Sequence, residues 1–336
     1  MASPFKGKDR LFTVGIVILS AAGILYFGAQ AVIDRMRTNQ KNPYAYDLSA
    51  FEQASPDSVS YSEAQRIPIQ SGRLAGLAID TDGFVYVSGD DRILKLDARG
   101  NMIDTFPVGE TVYCLALDGQ SRMYLGMGDH VEVFDQRGKL VTRWESLGQR
   151  AIVTSVAVSD SIVYLADAGQ LRVWKFTTSG ALLGTVGQRD ETRGIPGFVI
   201  PSPYFDVAVD ADGTLWAANT GRHSLENYTR SGALKTSWGE YATQIEGFCG
   251  CCNPSHFAMM TDGAFVTSEK GIPRVKVYNR QGQFVTVVAG PNQFRPGTTG
   301  LDLAVDSSGR IYVLDAAEKA VRVFSKRQST PKGGER

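Results

Sequence analysis

The chain has 336 residues, 43% of them hydrophobic, and its 35 basic side chains balance its 35 acidic ones. Proteins that bind nucleic acid through its phosphates carry a basic excess, so this balance argues against a nucleic-acid partner. The length would accommodate two domains, although repeat folds and all-β barrels of this size often form one unit. The apolar content is sufficient for a large core.

Residues 11–33 form an apolar run without a charged side chain. As a helix this run would be about 34 Å long, enough to cross the hydrocarbon core of a bilayer. We therefore predict a transmembrane anchor that follows a short tail of residues 1–10. The alternative is a cleaved signal peptide, because Ala29, Gln30 and Ala31 have the small-x-small form of a cleavage site.

The residues that flank this run bear on its orientation. Three basic side chains precede it and three follow it closely, so the positive-inside count is balanced. The short tail favours a signal-anchor, which predicts a single-pass membrane protein whose main domain is extracytoplasmic, in the periplasm. Residues 34–60 are rich in Asn, Pro, Ser and Asp and predict a linker. Residues 329–336 are predicted to be a disordered tail.

Between the linker and this tail, one unit of strands recurs six times. Each copy opens with an apolar strand whose fourth residue is alanine, continues through a turn that usually contains Asp and Gly, and alternates apolar with polar residues thereafter. Four strands at a spacing of 38 to 51 residues are typical of a β-propeller blade. The fold is therefore predicted to be an all-β, six-bladed propeller over residues 61–328. The opening strands begin at Ala75, Tyr113, Thr154, Phe205, Ser255 and Leu301.

The sixth copy ends after its third strand. Residues 65–70, which precede the first copy, contain an alternating segment that we predict to supply the missing outer strand of blade six. Such closure joins the two ends of the ring and removes exposed sheet edges. Pro68 suits an outer edge, where a missing amide donor is tolerated.

This pattern of inner-strand alanine, Asp-x-x-Gly turn, Ile/Val-Tyr-Val and Val-x-Val-Phe/Tyr resembles the NHL-repeat six-bladed propellers, over about residues 75–324. The resemblance implies a propeller whose functional sites surround one mouth of the channel. Proteins similar to this one include RNA- and protein-binding modules, a metal-dependent amidating lyase and sugar-lactone hydrolases, so the resemblance implies no single activity.

The second residue of each opening strand is predicted to line the channel near its mouth, because side chains alternate along a strand. We name the face from which the opening strands begin the top face. Cys114 on blade two and His256 on blade five would lie on opposite sides of a six-bladed ring. The six residues of this column are Gly76, Cys114, Ser155, Asp206, His256 and Asp302.

The densest cluster of reactive side chains is CGCCNPSH, residues 249–256, which contains three of the four cysteines. One interpretation is a metal ion or an iron–sulfur cluster bound by Cys249, Cys251 and Cys252 with Cys114 or His256, since thiolates suit zinc, copper(I) and such clusters. A second is a disulfide, either between the adjacent cysteines or to Cys114, which an oxidising compartment favours. A third is inert, buried thiols.

Three further residues of the column, Ser155, Asp206 and Asp302, are candidates for the channel mouth. The two carboxylates could ligate a cation or act as acid and base, but capping of backbone amides around the channel is the more common role. No Ser–His–Asp arrangement or phosphate-binding glycine loop is present in the sequence.

The leading hypothesis is therefore a membrane-tethered binding or accessory module with a cysteine-rich metal or redox site on its top face, which binds a protein partner and serves membrane electron transfer. The first rival is a metal-dependent, lactonase- or lyase-like enzyme that uses Asp206, His256 and Asp302. The second is a purely structural interaction scaffold.

Overall fold

The computed structural model describes residues 23, 26–30, 54–159 and 161–327. By its internal contacts the chain divides into residues 1–48 and 49–336. Most of the predicted anchor, residues 11–33, lies outside the described residues, as do most of the predicted linker and the whole C-terminal tail. Within the described ranges no helix is both long and apolar enough to span a membrane.

The strands from Tyr61 to Lys326 form six four-stranded antiparallel sheets, which confirms the predicted six-bladed propeller. In each of the first five blades the strands follow one another from the channel outward. Blade one contains β2 (Gly76–Ile79), β3 (Val85–Gly89), β4 (Arg92–Leu96) and β5 (Met102–Pro107). Blade two contains β6 (Cys114–Leu117), β7 (Met123–Gly126), β8 (Val131–Phe134) and β9 (Leu140–Arg143). Blade three contains β10 (Val153–Val158), β11 (Ile162–Asp167), β12 (Arg172–Thr177) and β13 (Leu182–Val186).

The remaining blades follow the same plan, with a different origin for the last strand of blade six. Blade four contains β14 (Val207–Val209), β15 (Leu215–Asn219), β16 (Ser224–Tyr228) and β17 (Leu234–Trp238). Blade five contains β18 (His256–Met259), β19 (Phe265–Glu269), β20 (Arg274–Tyr278) and β21 (Phe284–Ala289). Blade six contains β22 (Asp302–Val305), β23 (Ile311–Asp315), β24 (Ala320–Lys326) and, outermost, β1 (Tyr61–Pro68). Among the described residues, short 3-10 helices occupy Pro56–Ser58, Thr220–Arg222 and Pro291–Gln293.

The Asp and Gly of the repeated turn have separate roles, which blade one illustrates. The Asp80 carboxylate accepts hydrogen bonds from the backbone amides of Asp82 and Phe84, at 3.1 and 2.9 Å, so it satisfies the donors of the turn. Gly83 has a φ of 84°, which glycine adopts without steric cost. The turn is therefore encoded locally, which is why it was recognisable in the sequence.

The six innermost strands surround the channel. The small alanine side chains of these strands allow them to approach one another closely around the axis. Alanine side chains leave room for neighbouring inner strands to converge on a narrow axis, whereas larger side chains would fill the channel. The apolar core lies between successive blades: one cluster joins Val266 and Val288 of blade five to Leu303 and Val313 of blade six. Of the alanines at the fourth position of the opening strands, those that line the channel are Ala78, Ala116, Ala157, Ala208 and Ala258.

The predicted ring closure is present, with different bounds. The outer strand of blade six runs over Tyr61–Pro68 instead of residues 65–70, and it pairs antiparallel with β24 from Tyr61 opposite Lys326 to Pro68 opposite Ala320. The strand begins earlier because Tyr61 itself is buried in the interface between blades five and six. Part of the predicted linker is also packed, since Val59 forms a bridge to Val287 of blade five.

Candidate functional site

The predicted column meets at the channel. Cys114, Ser155, Asp206, His256 and Asp302 all line a cavity of about 420 Å³ that the six inner strands surround. The sixth member, glycine, lies against the next blade: a Cβ on Gly76 would be 2.9 Å from the amide nitrogen of Leu115. The channel therefore gathers side chains from five blades around one space.

The two aspartates of the column connect neighbouring blades. The Asp206 carboxylate accepts hydrogen bonds from the Ser155 hydroxyl (2.5 Å), from the amide of Val207 (2.9 Å) and, across the next interface, from the amide of Phe257 (2.8 Å). These bonds join blades three, four and five. They are the contacts expected of the capping role.

Asp302 makes the equivalent connection where the ring closes. Its carboxylate accepts hydrogen bonds from the amide of Leu77 on blade one and from the amide of Leu303, both at 2.8 Å. Burial raises the pKa of Asp302 to about 6, and the nearby charge of Asp206 adds to this while His256 opposes it. The group therefore titrates close to neutral pH.

His256 lies between these carboxylates at the mouth. Its Nδ1 is 3.6 Å from an Asp302 oxygen and 3.9 Å from an Asp206 oxygen, distances that exceed those of good hydrogen bonds. The three side chains form a carboxylate–histidine group that faces the cavity, and side chains of these types serve as general acids and bases in enzymes.

The cysteine turn, residues 249–252, presents its thiols unequally. Cys251 is exposed, whereas Cys249 and Cys252 are buried, and all four cysteines of the chain are free. The Sγ atoms of Cys251 and Cys252 lie 3.2 Å apart. Of the predicted cysteine and histidine ligands, these two are the ones that the structure places in contact.

Cys114 has a different environment. A Cβ on Gly126 would be 2.3 Å from its Sγ, and its apolar neighbours include Val153 of the next blade. Its side chain therefore packs at the interface of blades two and three. Burial raises the pKa of the Cys114 thiol, which keeps it protonated.

No group of three or more His, Cys, Asp or Glu side chains among the described residues is placed to hold a metal ion. The structure thus supplies a pair of thiols and, separately, the carboxylate–histidine group of the channel. A metal ion or iron–sulfur cluster at Cys249, Cys251, Cys252, Cys114 and His256 stays a prediction.

A buried ionic cluster that was not predicted from the sequence holds the cysteine turn. Glu269 accepts hydrogen bonds from the Arg274 guanidinium (2.7 Å), the Lys276 ammonium (2.8 Å) and the backbone amide of Cys249 (3.0 Å). Lys276 also donates to the carbonyls of Ile245 (2.9 Å) and Gly247 (2.6 Å). Burial lowers the pKa of Lys276 to about 8. The sequence did contain a signal for this cluster: Arg274 and Lys276 occupy alternate positions of β20, the third strand of blade five.

The side chain of Asn253 fixes the other end of the turn. Its amide nitrogen donates to the carbonyls of Cys249 and, at 2.9 Å, of Lys270, and its oxygen accepts from the amide of Lys270 at 2.9 Å. Asn253 is 1% exposed, so these bonds are shielded from water. The turn is therefore held in place rather than free on the surface.

Two solved structures share the architecture. The streptogramin B lyase structure superposes with a TM-score of 0.55 at 12% identity, covering 80% of this chain and 98% of that chain. A structural genomics protein of unknown function from Bacteroides thetaiotaomicron VPI-5482 superposes with a TM-score of 0.56 at 15% identity, covering 80% of this chain and 76% of that chain. Comparison with family models and with curated protein sequences found no match. At these identities the likeness shows the propeller fold alone.

Proposed function

We propose that this protein is a membrane-tethered, NHL-like binding propeller whose top face carries a redox-active dithiol, Cys251–Cys252. The observation that supports it is the 3.2 Å contact between the two sulfurs in a turn that buried hydrogen bonds hold in place. Cys251 is exposed and Cys252 is buried beside it. An incoming sulfur can therefore reach the first thiol, while the second is positioned to resolve the product.

The reaction that we propose is thiol–disulfide exchange with a disulfide-bearing partner protein. The Cys251 thiolate attacks one partner sulfur and releases the other as a thiolate; Cys252, as its thiolate, then attacks Cys251 Sγ and releases the second partner thiol. Two protons leave the dithiol and two protonate the partner, so the partner disulfide is reduced and the dithiol becomes a disulfide. Adjacent Cα atoms are about 3.8 Å apart, below the usual range of about 4.4–6.8 Å for disulfides, so the Cys251–Cys252 disulfide is strained and readily reduced. The exchange is therefore favoured in reverse: the disulfide takes two electrons and two protons from a partner dithiol, which becomes a disulfide, and Cys251 and Cys252 return to thiols.

A disulfide that forms and breaks readily is suited to electron transfer and is poorly suited to a structural role. We therefore propose that the protein is an accessory subunit of a membrane electron-transfer or assembly system. The proposal includes residues 11–33 as the anchor, an extracytoplasmic domain and a protein partner on the top face. A thiophilic metal ion is the variant of this proposal: Cys251 and Cys252 would supply two thiolates, and Cys249 or the partner the remaining ligands.

The test uses the reduced full-length chain, with phenylarsine oxide as a probe of paired thiols and with metal analysis of anaerobically purified protein. We expect one arsenical bound per chain and a loss of two thiols on oxidation by a small disulfide. Cys252→Ser should abolish both, and Cys114→Ser should abolish neither. Two thiols that neither bind the arsenical nor oxidise, in a chain without metal, would reject the proposal.

The membrane part is tested separately by fractionation. The full-length chain should sediment with membranes and resist extraction by high salt, whereas a chain that begins at residue 54 should stay in the supernatant. Release of the full-length chain by salt alone would contradict the anchor.

The channel supports a second candidate, acid–base catalysis at the mouth. Burial raises the pKa of Asp302 to about 6, so its carboxyl can carry a proton near neutral pH, and His256 and Asp206 lie beside it. The sequence predicts a lactonase- or lyase-like enzyme as a rival, and one structural neighbour is named streptogramin B lyase, so lactones are substrates to try. Turnover of such compounds, with and without divalent ions, that is lost in Asp206→Ala and His256→Gln would favour this candidate. Its failure, together with partner binding by a chain whose cysteines are all serine, would favour the structural scaffold.

A further inference from the structure

The hydrogen bonds of the Asn253 side chain, which we call the Asn253 clasp, connect the cysteine turn to residues near the channel. Asn253, which follows Cys252 directly, is bonded through its side chain to both backbone groups of Lys270. Any displacement of Cys252 therefore acts on Lys270 through two hydrogen bonds of 2.9 Å. Because the Asn253 side chain is buried, no water is available to replace these bonds.

The side chain of Lys270 extends this connection to the mouth. Its ammonium lies 4.4 Å from the centroid of the Tyr204 ring and donates to the Ser202 hydroxyl at 3.1 Å. The Tyr204 ring in turn meets the His256 ring edge to face, with centroids 6.0 Å apart. A contiguous set of contacts therefore runs from the thiols through Asn253, Lys270 and Tyr204 to His256 in the channel.

We infer that the oxidation state of the Cys251–Cys252 pair sets the position of Lys270 on Tyr204, and of Tyr204 against His256, and so controls the mouth of the channel. The inference rests on the proposed dithiol function and adds its regulation. To form a bond, the sulfurs must approach from 3.2 Å to about 2.05 Å, which draws Cys252 toward Cys251 and moves the backbone next to Asn253. The Asn253 clasp transmits that movement because Asn253 and Lys270 are joined at two points.

The coupling also acts in the opposite direction. A molecule that binds in the channel and prefers one position of Tyr204 shifts the equilibrium between dithiol and disulfide by the same free energy. The top face would then link occupation of the channel to electron transfer with the partner.

The experiment observes the histidine rings of the full-length chain, selectively labelled, by NMR in the reduced form and after oxidation by a small disulfide. The chain has three histidines, and His256→Gln assigns the signal of interest. His130 on blade two, which is paired with Asp129 at 2.8 Å, serves as the internal reference. We expect oxidation to remove two thiols per chain and to shift the His256 signal well beyond that of His130.

Lys270→Met tests the route. It should leave the loss of two thiols intact and remove at least half of the His256 shift, whereas Lys235→Met, an exposed lysine of blade four, should behave as the unaltered chain. An unchanged His256 signal after two thiols are lost, or a full shift in Lys270→Met, would overturn the inference and leave the dithiol proposal standing. Thiols that do not oxidise would overturn both.

Discussion

The four cysteines differ in how far they are buried, and this difference sets the reactivity of each thiol. Cys114 is enclosed between blades two and three, and burial raises its pKa, as it does that of Cys249. The hydrogen bond with Cys252 raises the pKa of Cys251, but this thiol remains exposed. Reactivity depends on the thiolate fraction and on access, so Cys251 is the thiol that reagents reach first.

We therefore predict that Cys251→Ser removes the fastest phase of the reaction of the native protein with an aromatic disulfide reagent at pH 8. Cys114→Ser should leave that phase unchanged, because its thiol reacts only after unfolding. The measurement is the time course of thiol release, with the total count in denaturant as the control. A fast phase that disappears in Cys114→Ser would show that this thiol is accessible.

Asp302 makes the stability of the protein depend on pH. Its pKa is raised to about 6 in the folded state, compared with about 3.9 for an unfolded aspartate. Below pH 4 the group is protonated in both states; as pH rises from about 4 to 6 it ionises first in the unfolded chain, so folding loses free energy. The full shift corresponds to about 3 kcal/mol, which we reduce to about 2 kcal/mol because the side chain keeps 20% exposure.

Accordingly, the decrease in unfolding free energy between pH 4.5 and pH 7.5 should be smaller by about 1 kcal/mol in Asp302→Asn than in the unaltered chain, because the rest of the effect lies below pH 4.5. Urea unfolding at the two pH values measures it. Asp104→Asn, at an exposed position of β5, should leave the difference unchanged. If the unfolding free energy decreased equally in Asp302→Asn and in the unaltered chain, the Asp302 carboxyl would not be the cause of the pH dependence.

At the scale of the element, one buried ionic group joins the closing strand to its neighbour. The Arg322 guanidinium of β24, 2% exposed, contacts Glu63 of β1 at 2.6 Å and Asp315 at 3.4 Å, and donates to the carbonyl of Gln293 at 2.7 Å. Arg66 contacts the same Glu63 at 2.7 Å, but its side chain is 47% exposed. These two arginines form a matched pair for comparing buried with exposed charge.

Arg322→Ala should destabilise the propeller by about 3–5 kcal/mol, because it leaves a buried carboxylate without its partner. Arg66→Ala, which removes an exposed contact to the same residue, should cost less than about 1 kcal/mol. Equilibrium urea unfolding of both variants gives the two values. Equal costs would indicate that the buried charge does not hold the closing strand.

For the whole molecule, β1 is the element that makes the ring continuous, because it takes the outer position of a blade whose other strands come from the opposite end of the chain. Blade six thus depends on pairing between residues more than 250 positions apart. Without β1, the edge of β24 would be exposed, and exposed edges promote association between chains.

A chain that begins at residue 54 should therefore be a monomer with a single cooperative transition, whereas one that begins at residue 70 should aggregate or melt at a markedly lower temperature. Size-exclusion chromatography and thermal unfolding of the two chains make the comparison. Similar behaviour of both would show that blade six is stable with three strands.

Sequence alone determined the number of blades and the position of the turns. Each repeat carries its own alternation of apolar residues and its own Asp–Gly turn, so local patterns specified the blade six times over. In a ring of such blades the second residue of each opening strand is expected at the channel. Cys114, Ser155, Asp206, His256 and Asp302 line it, whereas Gly76 lies against the next blade and the Cys114 sulfur packs between blades two and three.

Only the tertiary structure decided which of the candidate side chains contact one another. The sulfur of Cys114 packs between two blades, the cysteine turn is held by Glu269 and Asn253, and Lys270 reaches Tyr204, which lies against His256. These arrangements depend on long connections between blades, which have no periodicity, and on buried charges whose partners come from distant positions. Side-chain direction there follows from packing and hydrogen bonding across the fold, which no local pattern encodes.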